Sequence, residues 1–120
     1  MQDAVLPADH PNRAFPRMAL AAMHMAAQRY AEAEPLLREA VAVRRAGLTG
    51  HHRYIGESLS ALGECLTGLR RFAEGEAALA EALEILVAAE GPDASNTRRT
   101  RERIDVLRRA REAAGRQMPL

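Results

Sequence analysis

"RYAEAEPLL" (residues 29–37) and "RFAEGEAAL" (residues 71–79) are nearly the same phrase, written twice in a chain of 120 residues. Tyr30 and Phe72 stand 72 − 30 = 42 positions apart. Aligning 29–43 with 71–85 puts Arg29, Ala31, Glu32, Glu34, Leu37, Glu39 and Ala40 onto identical residues. Tyr30/Phe72, Ala33/Gly75, Val41/Leu83 and Val43/Ile85 are conservative pairs, and Leu20/Leu62 and His10/His52 keep the same offset. A fixed period between about 20 and 50 residues marks stacked supersecondary units. The chain is therefore built from repeated modules.

Each module reads as two helices. Ile55, Leu59, Leu62, Leu66 and Leu69 step by 4, 3, 4 and 3, which places them on one helical stripe. Gly68 and the Arg70–Arg71 pair suit a helix end and a short turn. A second helix begins near Phe72, with Gly75, Leu79, Ala82 and Leu86 on one face, and Gly91-Pro92-Asp93 stops it. The first module repeats this from Tyr30 to about Ala46, with Pro35 tolerable near the first turn and Gly47 and Thr49-Gly50 at its end. Ala33 and Gly75, then Ala40 and Ala82, let paired helices approach, while Leu37 and Leu79 fill the space between them. The periodicity predicts helices near 12–27, 30–46, 52–69, 72–89 and 95–114, and no strand. Such a helix pair cannot bury its apolar face alone and must stack on a neighbour.

Composition agrees with this architecture. Hydrophobic residues make up 48% of the chain but aromatic ones only 3%, so the core is built from Ala, Leu, Val, Ile and Met. A net charge of +1 gives no global pull towards nucleic acid or acidic membranes. Cys65 is the one cysteine, which excludes an internal disulfide and favours a reducing compartment. The most apolar run, residues 18–27, is about half of the roughly 20 residues needed to span a bilayer and contains His24. With no signal-peptide pattern at the start, the expectation is a soluble cytoplasmic protein without membrane partners.

"ALGECLTGLRRFAEGEAALAEAL" (61–83) and "QRYAEAEPLLREAV" (28–41) resemble the tetratricopeptide repeats. The likeness is strongest to the 42-residue variety of kinesin light chains and many bacterial signalling proteins. The phrases "ADHP" (8–11) and "GPD" (91–93) are similar to the "GPDHP" that joins such units. The resemblance implies an all-α, right-handed solenoid of antiparallel helix pairs, about two and a half repeats long. It divides the chain into a tail at 1–9, a repeat domain at 10–116 and a tail at 117–120. Within the domain, repeat one covers about 10–50, repeat two about 51–92, and a capping helix about 94–115. It also implies a protein- or peptide-binding function on the surface formed by first helices. There Phe15, Met18, Ala22 and Met25 would offer an apolar half, and Glu57, Ser60, Glu64 and Thr67 a polar half. Met suits adaptable apolar recognition, and the two glutamates suit a basic or hydrogen-bonding end of a peptide. The first unit departs from the pattern, carrying Arg17 and His24 where the second has Leu59 and Leu66.

No catalytic constellation emerges, so no enzyme, cofactor or metal is expected. Glu32/Glu34 and Glu74/Glu76 point to different sides of a helix and repeat with the fold, as a solvated face does. His51-His52 has no Cys or acidic ligand at metal-binding spacing and reads as a loop. His24 reads as a hydrogen-bonded packing residue, and Cys65, beside Glu64 rather than a cation, as a buried thiol. No glycine-rich phosphate loop follows a strand. Residues 98–116 hold eight Arg against Glu102, Asp105 and Glu112; the missing aromatics favour a polar cap over nucleic-acid binding. The first helix is apolar almost all round, which one neighbour cannot cover. Three functions remain: an interaction module from a bacterial signalling or regulatory protein, a homodimer joined through residues 12–27, and an Arg-dependent nucleic-acid or regulator domain.

Overall fold

A computed structural model of the chain describes residues 10–117. The expected tail at 1–9 lies outside these described residues, as do 118–120 of the tail expected at 117–120, whose first residue, Gln117, belongs instead to the last helix. A 3₁₀ turn, Pro11–Arg13, leads into α1 (Ala14–Ala26), followed by α2 (Tyr30–Gly47), α3 (Arg53–Gly68), α4 (Phe72–Glu90) and α5 (Ser95–Gln117). Among the described residues there is no strand. The three-residue links from α1 to α2 and from α3 to α4 force each pair to run antiparallel. α5 reaches Gln117, past its expected end and through Gly115. The sequence pattern thus yields an all-α, tetratricopeptide-like stack of helix pairs.

Turn chemistry repeats with the same period. His10 and His52 each precede a first helix, and each Nδ1 accepts a backbone N–H two residues on, from Asn12 at 3.1 Å and Tyr54 at 3.2 Å. His52 is thus a helix cap rather than plain loop. Gln28 (φ 60°) and Arg70 (φ 63°), again 42 apart, carry the left-handed turn between the helices of a pair. Gly68 ends α3, as expected, and also allows a close approach between helices, since a Cβ there would meet the Tyr30 ring at 2.6 Å. Pro35 lies at the sixth residue of α2, beyond the expected first turn. It is exposed, so water can satisfy the carbonyl its missing N–H leaves open.

Packing within each pair sets small residues of the first helix against large ones of the second. A Cβ on Gly63 would fall 2.4 Å from Leu79, and one on Gly56 2.7 Å from Leu86. One repeat earlier the same four positions hold Ala21, Ala14, Leu37 and Arg44, all at most 1% exposed. Between repeats, Ala33, Leu37, Leu62 and Leu66 form one cluster with Cys65; within the second pair, Ile55, Leu59, Ala82 and Ile85 form another, against which Val41 and Leu48 of the first repeat pack. α5 continues the stack, with Leu107 buried near Gly75. Ile104, Ala110 and Ala114, at helical spacing from Leu107, are only partly covered. Thr97 and Thr100 are the deeper residues, their hydroxyls donating to the carbonyls of Gly91 and Asn96, each at 2.8 Å.

The paired glutamates are less solvated than the sequence suggested. Glu34 and Glu74 alternate with Arg38 and Arg71 in a ring of four ion pairs of 2.7 to 3.3 Å. This ring joins α2 to the start of α4, and Arg111–Glu76, at 3.5 Å, joins α4 to α5. Arg38–Glu34 and Arg71–Glu74 are local pairs, four and three residues apart, whereas Arg38–Glu74, Arg71–Glu34 and Arg111–Glu76 meet only after stacking, which explains why spacing along one helix missed them.

Candidate functional site

α1, α3 and α5, the first helices of successive units, share one surface. α1 packs on α2 and not closely on α3, which leaves a cleft of about 440 Å³ between them. Met18, Ala22 and Met25 line it from α1, and Glu57, Ser60 and Glu64 from α3, with Leu37 of α2 also contributing. Six of the eight expected site residues are therefore brought together.

Phe15 and Thr67 are placed elsewhere. The Phe15 ring packs edge-on against Tyr54, centroids 5.2 Å apart, because Arg44 fills the space on the inner side. The Thr67 hydroxyl turns back to the Gly63 carbonyl at 2.9 Å, and the residue lines an adjoining depression with Tyr30, Val106 and Ala110 that shares Glu64 and Arg103 with the cleft. Conversely, Asn96, Arg99 and Arg103 of α5 line the cleft, although the sequence pattern did not assign them to it. The signal was the capping-helix phase itself: α5 is the first helix of a third unit, so its inner face must continue the surface of α1 and α3.

Arg103 is held inside this surface. Its Nη1 donates to Ser60 Oγ at 2.9 Å, and its Nη2 lies 3.1 Å from Glu64. Thr100 spends its one hydroxyl proton on Asn96, so the 2.8 Å contact between Ser60 and Thr100 has Ser60 as donor. Burial pulls the Arg103 pKa below its usual value, opposed by the neighbouring Glu64 carboxylate. Glu57 is likewise engaged, 3.1 Å from Arg44 Nη1.

Arg44 is the largest fully buried side chain. Its Nη1 donates to the Tyr54 carbonyl (2.8 Å), Ser58 Oγ (2.6 Å) and Glu57, and its guanidinium lies 5.1 Å from the rings of both Phe15 and Tyr54. Its Nε and Nη2 have no hydrogen-bond partner among the described residues.

Nucleophiles and metal ligands offer little chemistry. The Cys65 thiol is buried, donates to the Tyr30 carbonyl at 3.1 Å and is pushed up to about 11 by desolvation. His24 accepts from Arg29 Nε at 3.2 Å, so it is hydrogen-bonded as the sequence suggested, in an exposed contact rather than in the core. Among the described residues no group of three or more His, Cys, Asp or Glu is placed to hold a metal. Among them also, no helix is long and apolar enough to cross a membrane.

Comparison with known proteins adds one finding. No curated protein matches the chain. A family model described as "Tetratricopeptide repeat" matches residues 12–86, from the turn before α1 to near the end of α4. That span is more than half of the chain and coincides with the two complete helix pairs, so the chain belongs to the tetratricopeptide repeat family.

Proposed function

We propose that this chain is a protein-interaction module, which takes a peptide segment of a partner protein into the cleft between α1, α3 and α5. The family's repeats are scaffolds for protein partners, typically without catalysis. The observation that carries the reading is an apolar wall, Met18, Ala22 and Met25, standing open across from polar Glu57, Ser60 and Glu64. An unbranched, polarizable side chain adapts to varied apolar shapes, as a peptide groove needs. A bacterial signalling or regulatory protein of the cytoplasm is the setting we propose for it. To test the site, peptides selected from a random 12-residue library are titrated into the chain while its methyl and amide NMR signals are followed. Shifts should concentrate at Met18, Ala22, Met25 and Ala61 and vanish in Met18→Glu; shifts confined to α2 and α4 would overturn the proposal.

A homodimer through residues 12–27 is the second reading, and one observation favours it. Leu20 is 44% and Met23 66% exposed on α1, and neither lines the cleft. A symmetric contact uses the same patch on both chains, which an apolar helix face satisfies. The nucleic-acid alternative draws less support, since Arg103 and Arg111 of α5 are committed to Glu64 and Glu76, and Arg101 donates to the Pro92 carbonyl at 2.8 Å.

A further inference from the structure

We infer that a second copy of this chain covers the outer face of α1, the two α1 helices crossing antiparallel about a two-fold axis at Leu20. This rests on the homodimer reading above and adds which face meets which, and in what register. The 42-residue period identifies the face. In the second repeat, Leu62 and Cys65 of α3 are buried in one cluster with Ala33 and Leu37 of α2. One period earlier stand Leu20 and Met23, both exposed. On the second helices, Ala78 is buried where Leu36 is only partly covered. The first unit thus leaves open the side that, in the second, contacts the unit before it.

A preceding repeat stacked in the same phase does not suit this face. Leu59 and Leu66, buried in α3, are replaced one period earlier by Arg17 and His24. Arg17 is held by Glu39 at 2.6 Å and His24 by Arg29 at 3.2 Å. Burying these polar groups under an apolar helix costs more than leaving them at an edge.

A second copy suits it because the face is self-complementary. Arg13, Pro16, Arg17 and Leu20 stand at i, i+3, i+4 and i+7, the four corners of a helical hole. With Leu36 they line a depression of about 360 Å³. Met23, one turn beyond Leu20 on the same stripe, is the most exposed large apolar side chain among the described residues. Its unbranched, adaptable side chain is a suitable knob for such a hole. The centre of the hole lies between positions 16 and 17, and the point half-way from there to position 23 falls at Leu20. A two-fold axis at that point seats each Met23 in the other copy's hole at once. Met18, Ala22 and Met25 line the cleft and not this depression, so both clefts stay open. The dimer then offers two clefts to a partner carrying two segments.

Cysteine cross-linking of the full chain under mild oxidation reads the register, with the wild type, whose one thiol is buried, as the blank. Packed helix axes lie about 8–10 Å apart, which brings the two Leu20 Cα atoms to roughly 3.5–5.5 Å, overlapping the disulfide range. The two Met23 Cα atoms are offset by a rise of about 9 Å, beyond that range. Leu20→Cys should therefore form an interchain disulfide and Met23→Cys alone should not. An equimolar mixture of Pro16→Cys and Met23→Cys should cross-link. Met23→Ala, which empties the hole, should weaken the dimer roughly five- to thirtyfold in sedimentation equilibrium. All three positions are exposed, and circular dichroism checks that each variant is folded. A wild-type dimer in which Leu20→Cys fails to cross-link, or Met23→Cys links to itself, would overturn this register and leave the homodimer reading. A wild-type chain that is monomeric at high micromolar concentration would overturn the register and the homodimer together, and would give this face to a different protein.

Discussion

Arg44 stands where the second repeat has Leu86, and that single exchange reorganises one end of the first helix pair. The leucine of the second pair fits over Gly56, while the arginine of the first must satisfy five N–H donors in a buried space. Nη1 does so and draws in Glu57, but Nε and Nη2 do not. Buried unsatisfied donors destabilise, and replacing a buried ion pair with a well-packed apolar residue is often neutral or stabilising. Arg44→Leu should therefore keep or raise the urea midpoint, whereas Arg44→Ala should cost about 1–3 kcal/mol through lost packing under Phe15 and Tyr54. Equal losses for the two variants would show that the guanidinium is needed for stability. Cys65 gives a second prediction at this scale. A thiol raised to about 11 and hydrogen-bonded to Tyr30 presents almost no thiolate at pH 8. Its reaction with a thiol-exchange reagent should follow unfolding, accelerating only with denaturant; rapid reaction in the native protein would contradict the burial.

Between elements, charged rings join what the apolar stripes stack. Glu34 is held below its ordinary value, first by the Arg38 hydrogen bond and then by Arg71, with desolvation opposing. Its folded pKa lies below its unfolded one, so its contribution to stability is present above about pH 4.5 and is lost as pH falls through the folded value. The urea midpoint should decline on acidification from pH 5 towards 3, and Glu34→Gln should flatten that decline. An unchanged slope in the variant would remove Glu34 as the source. The periodic signal did not reveal this ring. Glu34 and Arg71 lie 37 residues apart and meet only because α2 and α4 stack.

For the molecule as a whole, the open question is what covers α1. Met18 and Met25 point to the cleft side, while Leu20 and Met23 lie exposed outside it, so the two proposed uses of α1 can be separated by mutation. If the chain dimerises through α1, Leu20→Glu plus Met23→Glu should give a monomer by placing unpaired charge in the contact, with peptide binding retained. Sedimentation equilibrium at high micromolar concentration reads this directly. A wild-type chain that is monomeric there rules out the dimer and leaves the cleft reading intact.

The 42-residue period determined the helix order, the antiparallel pairing and most of the core, because each depends on local spacing and on small residues meeting large ones. The resemblance to the tetratricopeptide repeats, rather than the spacing, pointed to a common first-helix surface, and the structure brings Met18, Ala22, Met25, Glu57, Ser60 and Glu64 together there. Tertiary structure alone decided the charges of that surface. Arg44 comes from a second helix and Arg103 from the third unit, and each reaches a glutamate that the sequence left apparently free. It also decided the exclusions, turning Phe15 onto Tyr54 and the Thr67 hydroxyl onto the Gly63 carbonyl. Periodicity specifies which face a residue occupies. The sign of a binding surface depends on which charges are already paired across helices, and that exists only once the helices are stacked.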